Sequence, residues 1–242
     1  MKERTAKELL EKVKKDYEFI SKEFSQTREE PWTEFEYFKK YVQTRRSPRV
    51  LGANTGAINK RAEGAPQTDE IADIGCGNGR LLKILGENAN YIGIDNNNAL
   101  LEEAKKRFPN AKFMYGDMLS LPLENAAKDV VFCIAALHHI PSKEYRKQAL
   151  GEIHRVLKDK GILILMVWDL FQKKHILKIL KSLFHKEYDF KDIFINWGEN
   201  GVNRYYHAFT TAELRKLLKE AGFEIIEMFK TNNICVIAKK HG

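Results

Sequence analysis

The chain is short of cysteine. Only Cys76, Cys133 and Cys235 occur among 242 residues, in glycine-loop or strand-like surroundings and without C-x-x-C spacing. So few thiols exclude a disulfide framework and leave no zinc pattern, so no metal is expected and a reducing cytoplasm is the expected home. Long apolar runs are missing as well. The N-terminus is charged from Lys2 onward, and no run approaches the roughly 20 residues that span a bilayer, so the chain is expected to be soluble with no membrane partner. Acid is scarcer than base: 33 Asp and Glu stand against 41 Lys and Arg, a formal charge of +8. Such a surface favours polyanions such as RNA, or an acidic substrate. What is present is enough for one α/β domain with a sizeable core.

The stretch that organises the rest is E-I-A-D-I-G-C-G-N-G-R, residues 70–80. A short apolar run ends in Asp73, glycines follow at alternate positions 75, 77 and 79, and Leu81 to Leu85 reads as the opening of a helix. Glycine is wanted where a strand turns sharply into a helix and a ligand lies against bare backbone. One βαβ unit later Tyr91-Ile92-Gly93-Ile94 forms a second apolar strand that ends in Asp95, placed to accept hydrogen bonds from a ribose diol. The spacing is not the dinucleotide fingerprint G-x-G-x-x-G. It is D-x-G-x-G-x-G, and a carboxylate ahead of the glycines repels a pyrophosphate but suits an amino group or a sulfonium.

With Gly116-Asp117-Met118 after the third strand, these motifs resemble class I S-adenosylmethionine-dependent methyltransferases. The resemblance implies that Asp73 and the loop of Gly75, Gly77 and Gly79 hold the methionine end of the cofactor. It places the ribose on Asp95 and the adenine amino group on Asp117. Cys76, Asn96, Met118 and Ala135 join them as cofactor-binding positions, and S-adenosylhomocysteine is the product. The implied fold is α/β: a Rossmann-like seven-stranded sheet with helices on both faces, in a single domain over residues 1–242.

Along the chain, residues 1–43 read as an N-terminal helical extension. Apolar Leu9, Leu10, Val13, Tyr17 and Ile20 recur at helical spacing, and Pro31 opens a second helix with Trp32, Phe35 and Phe38 on one side. Residues 44–69 lack either period and hold Arg45, Arg46, Arg49, Lys60 and Arg61, a basic loop or linker. Residues 70–169 form the cofactor-binding core. Strands are expected near 70–74, 91–95, 112–115, 129–134 and 162–168, with helices near 79–86, 98–107 and 143–157. The strand order usual in the family the chain resembles puts the third strand at a sheet edge. Residues 170–203 read as a basic insertion or cover. Within it 171–186 carries Ile176, Leu177, Leu180, Leu183 and Phe184 at helical spacing between lysines, which fits a cationic cover, a docked surface helix or an interfacial one. In 204–242, Thr210-Thr211-Ala212-Glu213 is a capping box opening a helix that Gly222 ends, followed by an antiparallel pair near 223–229 and 234–239.

Three segments narrow the acceptor: F-S-Q-T-R-x-x-P-W at 24–32, A-A-L-H-H-I at 135–140 and R-Y-Y-H-A-F at 204–209. Together with N-I-C-V-I at 233–237 they resemble the eukaryotic tRNA wobble-uridine methyltransferases, which convert 5-carboxymethyluridine to its methyl ester. The resemblance implies tRNA as substrate, and a small zinc-binding activator protein at the sheet edge near 111–116. A carboxylate acceptor is ionised at neutral pH and needs no general base. It needs counter-charge, for which Arg28 and Arg204 are the candidates, since a guanidinium clamps a carboxylate bidentately. His138 and His139 follow the fourth strand at the edge where parallel sheets bind ligands. Tyr205, Tyr206 and Trp168 suit stacking of an extruded base. Each has a plainer reading. Arg28 pairs with Glu29 or Glu30, one histidine is structural, the two tyrosines split between core and cleft, Trp168 is core, and Trp32 and Phe35 are helix packing. Two rivals remain: a small-molecule methyltransferase acting on a quinone precursor or other metabolite, and a non-catalytic cofactor-binding scaffold.

Overall fold

The computed structural model describes residues 1–42, 68–198 and 201–241, so the basic side chains of the 44–69 connection lie outside the described residues. Strands form at Ile71–Ile74 (β1), Tyr91–Asp95 (β2), Lys112–Tyr115 (β3), Lys128–Ile134 (β4), Leu157–Trp168 (β5), Asp192–Trp197 (β6), Val202–His207 (β7), Phe223–Lys230 (β8) and Asn233–Lys240 (β9). Helices form at Glu3–Thr27 (α1), Glu34–Phe38 (α2), Leu82–Leu85 (α3), Asn98–Arg107 (α4), Lys143–Val156 (α5), Lys173–Ser182 (α6) and Thr211–Glu220 (α7).

Seven strands make one sheet in the order β3-β2-β1-β4-β5-β9-β8, the class I methyltransferase arrangement with β3 at an edge. The first five are parallel, and β9 runs antiparallel to both β5 and β8. All four β1 residues are buried, as a strand covered on both faces requires. On one face Leu150 and Ile153 of α5 and Leu214, Leu217 and Leu218 of α7 pack on Leu163, Leu165 and Val236. On the other, Phe35 and Phe38 of α2 and Leu82 and Leu85 of α3 pack on Ile71, Phe132 and Ile164. The expected cap is present: Thr210 Oγ1 accepts from the Glu213 amide at 3.2 Å.

Three segments differ from expectation. The first helix after the glycines is a single turn, α3, because turns carry the chain as far as Leu81. The 170–203 stretch is not all cover. Its second half pairs with the 204–209 segment as a β6–β7 hairpin, in register from Asp192 opposite His207 to Trp197 opposite Val202. Helix α6 is shorter than 171–186. It buries His175, Ile179 and Ser182, whereas Leu177 is 70% and Phe184 85% exposed. Among the described residues no helix is long and apolar enough to cross a membrane, and no cluster of three His, Cys, Asp or Glu is placed to hold a metal.

Helix α1 matters most to the site. At 1.5 Å per residue its 25 residues span about 37 Å. Its far end is pinned to the glycine loop, where Asn78 Nδ2 donates to Ser25 O, Ser25 Oγ and Arg28 O at 3.2–3.3 Å. Nearer its start, Lys12 Nζ donates to Asn203 O of the hairpin at 2.8 Å. The helix thereby roofs the carboxyl ends of the parallel strands.

Candidate functional site

Under that roof lies a pocket lined by Asp73, Gly75, Cys76, Gly77, Asp95, Asn96, Asp117, Met118 and Ala135, and by Arg28, His139 and Trp168. The glycines are there for different reasons. Gly75 has φ +74°, and an added Cβ would meet Ala136 Cβ at 2.5 Å. Gly77 has φ +54°, yet an added Cβ would find only Phe24 Cε1 at 3.9 Å, so its backbone lies bare toward the pocket. Gly79 stands behind the wall, with its Cβ position 2.9 Å from Phe113 Cζ. Ala135, just after β4, holds φ +54° without being glycine, a left-handed conformation that costs an alanine about 1–2 kcal/mol. Its amide donates to Met166 O at 2.7 Å, which helps to hold it there.

Two carboxyls flank the bend. Asp73 is buried with a single donor among the described residues, Tyr91 Oη at 3.0 Å, and burial pushes its pKa up to about 7. A buried carboxyl so poorly compensated fits a ligand that brings positive charge. Asp95 accepts from the Gly77 amide at 2.8 Å and the Asn97 amide at 2.9 Å, and burial still raises it to about 6. Those two bonds leave lone pairs on both of its oxygens. Asp117 accepts from the Leu119 amide at 2.8 Å, which orients it beside Met118. A polar cradle with acid at both ends of a bare loop fits S-adenosylmethionine.

The acceptor side is built on His139. Its Nδ1 lies 2.9 Å from Tyr205 O and its Nε2 2.8 Å from Tyr17 Oη. A carbonyl can only accept, so Nδ1 carries the proton and Nε2 receives the Tyr17 hydroxyl. Burial, with the Arg204 charge close by, holds His139 down to about 3, a neutral imidazole. Arg204 Nη1 in turn donates to Tyr17 Oη at 3.0 Å. The Arg204 guanidinium is buried among four rings, Trp197, Tyr206, Tyr17 and Trp168, at 5.1–5.9 Å from their centroids. His138 and Arg204 therefore form a layer behind the pocket wall. His138 is fully buried, accepts from the Trp168 amide at 3.2 Å, and burial drives its pKa well below the usual imidazole range. Tyr206 stacks on Trp168 at 5.2 Å. Tyr205 turns the other way, its hydroxyl donating to Asp192 at 2.8 Å, so it gives this site a carbonyl and not a ring. Three atoms of this layer, His138 Nε2, Arg204 Nε and the Tyr206 hydroxyl, are buried without a partner among the described residues.

Arg28 is half-buried at the end of α1, and among the described residues the only hydrogen bond of its side chain is to Thr27 O at 3.3 Å. Glu29 and Glu30 turn instead toward Arg107 and Lys83. Sequence reasoning passed over Tyr17, Asn78 and Arg80. Tyr17 sits in an apolar helical stripe that reads as packing, and Asn78 and Arg80 sit inside the glycine motif itself. Trp32, read as helix packing, lines the pocket and carries Arg80 at 3.4 Å over its ring.

The chain is similar to known methyltransferases. A family described as a methyltransferase domain matches residues 72–165. The chain is 28% identical over 254 residues to the tRNA (carboxymethyluridine(34)-5-O)-methyltransferase of Schizosaccharomyces pombe, covering 96% of this chain and 97% of that one. It is 29% identical over 178 residues to the ubiquinone/menaquinone biosynthesis C-methyltransferase of Campylobacter jejuni, covering 65% of this chain and 72% of that one. Among solved structures, a SAM-dependent methyltransferase from Methanosarcina mazei superposes with TM-score 0.64 at 25% identity, over 72% of this chain and 92% of that one. A Haloferax volcanii methyltransferase structure, a complex with the Trm112 activator, shares the fold with TM-score 0.52 at 18% identity, over 72% of this chain and 83% of that one.

Proposed function

This chain is an S-adenosylmethionine-dependent methyltransferase, and from that premise we propose that it methylates the carboxylate of 5-carboxymethyluridine at the wobble position of a tRNA, giving the methyl ester. The observation that carries the reading is the committed state of His139. Both of its ring nitrogens are engaged and its pKa is held to about 3, so it is no proton acceptor at neutral pH. A hydroxyl or ring-carbon acceptor calls for a base. A carboxylate arrives ionised and calls only for counter-charge and alignment.

The roles follow from that. Asp73 takes the cofactor's ammonium, Gly75, Cys76, Gly77 and Gly79 form the bend beneath it, and Asp95 with Asn96 receives the ribose. Asp117 and Met118 receive the adenine, and Ala135 closes the far side. When bound, S-adenosylmethionine supplies a sulfonium methyl open to in-line attack. Arg28, free of any carboxylate among the described residues, holds the acceptor carboxylate, and Trp168 stacks the base. Tyr17, Arg204 and the Tyr205 carbonyl fix His139, while His138 and Tyr206 brace Trp168 from behind. The +8 charge favours phosphate contacts with tRNA in the cytoplasm. The β3 edge, where Met114 and Tyr115 are 40% and 47% exposed, is the place for a small zinc-binding activator, in keeping with the Haloferax complex of this fold.

The test is incubation with methyl-labelled S-adenosylmethionine and either unmodified or carboxymethyl-bearing tRNA, followed by nucleoside mass analysis. Label confined to the carboxymethyl-bearing tRNA and released by mild alkali is expected. Alkali-stable label overturns the ester, and label on a quinone precursor with none on tRNA transfers the assignment to the small-molecule reading.

A further inference from the structure

Arg80 follows the last loop glycine and has no role in the assignment above. Its guanidinium lies 3.4 Å over the Trp32 ring and 5.9 Å from the Phe35 ring, on the wall it shares with Asp73. Among the described residues none of its N–H donors meets a protein acceptor and no carboxylate pairs with it. The acids that might have done so are occupied: Glu30 lies 3.7 Å from Lys83 and Glu29 4.0 Å from Arg107. Stacking on an indole fixes the plane of the guanidinium without using its in-plane donors. The result is a preoriented, uncommitted fork in a partly desolvated place. Burial and the neighbouring Arg28 charge lower its pKa only to about 10, so it stays cationic at neutral pH.

The same pocket thus carries a buried acid and an arginine that feel each other's charge yet form no ion pair, so each keeps its hydrogen-bonding capacity for a ligand. One ligand end satisfies both: an α-amino acid, with ammonium and carboxylate on one carbon. We infer that Arg80, braced by Trp32, binds the α-carboxylate of S-adenosylmethionine while Asp73 holds its α-ammonium, so that the wall selects the zwitterionic end of the cofactor. This rests on the reading that the pocket holds S-adenosylmethionine. It leaves Arg28 free for the acceptor.

The test separates the two claims by using two ligands that differ only in the carboxylate: S-adenosylmethionine and its decarboxylated analogue, titrated calorimetrically into the whole protein. Wild type should prefer the carboxylate-bearing ligand by about 10- to 100-fold, the range for a charge-assisted bidentate contact. Arg80→Gln should lose that preference by weakening S-adenosylmethionine alone, and Arg80→Lys, which keeps the charge but not the planar fork, should retain part of it. Asp73→Asn should weaken both ligands, since both keep the ammonium. Equal weakening of both ligands by Arg80→Gln and Arg80→Lys overturns the assignment and makes Arg80 a structural stack, as does no weakening of either. Wild type that binds neither ligand refutes the cofactor reading itself.

Discussion

The Tyr17 hydroxyl stands 2.8 Å from His139 Nε2 and accepts the Arg204 guanidinium from the other side at 3.0 Å. One oxygen on the N-terminal helix therefore joins the turn after β4 to the hairpin strand β7. The Tyr205 carbonyl sets the tautomer of His139 by taking the Nδ1 proton, and Nε2 is left to receive this hydroxyl. Tyr17→Phe keeps the ring and removes that oxygen, leaving a buried guanidinium N–H and a buried imidazole nitrogen unpaired. The expected cost is about 1–3 kcal/mol of stability, with slower methyl transfer and unchanged cofactor affinity, because Tyr17 lies on the acceptor side. A melting curve and a single-turnover rate check it. Wild-type values in both would mean the chain of bonds does nothing.

Asp73 gives a prediction of opposite sign. Its pKa is raised, through burial above all, from the ordinary carboxyl value to about 7, so the folded protein binds this proton more tightly than the unfolded chain. Such a group costs stability in full above about pH 7, and the cost disappears as pH falls toward the unfolded value near 4. Asp73→Asn, which still accepts from Tyr91, should raise the melting temperature of the ligand-free protein at pH 8, with the gain shrinking by pH 5. The same variant should lose most of the thermal shift given by S-adenosylhomocysteine. A variant less stable than wild type at pH 8 would remove the argument.

Cofactor affinity should follow the same proton. Only ionised Asp73 attracts an ammonium, so affinity should fall below about pH 7, by at most tenfold per unit, and fall again in alkali as the ligand's own ammonium loses its proton. Protonation of Asp95 below about pH 6 steepens the fall. His139, at about 3, adds no inflection between pH 5 and 9. Calorimetry in buffers of different ionisation enthalpy should show proton release on binding at pH 6.5. Affinity that rises as the solution is acidified would contradict the assignment of Asp73.

Which parts were legible in sequence follows from the range of the interactions. The strand ends carrying Asp73, Asp95 and Asp117 are local signals, an apolar run closed by acid and glycine, and the sheet forms at those positions. The neighbours Tyr205 and Tyr206 were bound to split, because strand residues alternate faces. Which way each turned depended on Asp192 and Trp168, partners that alternation does not name. Arg204 and Tyr17 are 187 residues apart, and nothing in the spacing of either announces the other. The β6 strand was hidden because its neighbour α6 dominates the stretch with lysine and leucine. Leu177 and Leu180 then face solvent, since the helix buries only the narrow face of His175, Ile179 and Ser182.

The glycine loop allows the sharpest separation of folding from binding. Both Gly75 and Gly77 hold positive φ, so alanine at either pays the left-handed penalty of about 1–2 kcal/mol. Beyond that the two diverge. At Gly75 the new methyl would sit 2.5 Å from Ala136 Cβ, a clash between β1's exit and the turn after β4 that no rotamer relieves. Gly75→Ala should therefore lower the melting temperature well beyond the φ penalty. At Gly77 the methyl would project into open pocket, 3.9 Å from its nearest neighbour, so Gly77→Ala should fold with only the φ penalty. What it should lose is the ligand, because the methyl occupies the bare backbone the cofactor lies against. Thermal melts with and without S-adenosylhomocysteine distinguish the two. Gly75→Ala is expected to show a low melt that still shifts with ligand, and Gly77→Ala a near-normal melt that does not. The reverse pattern would mean that the ligand approaches the loop from another side.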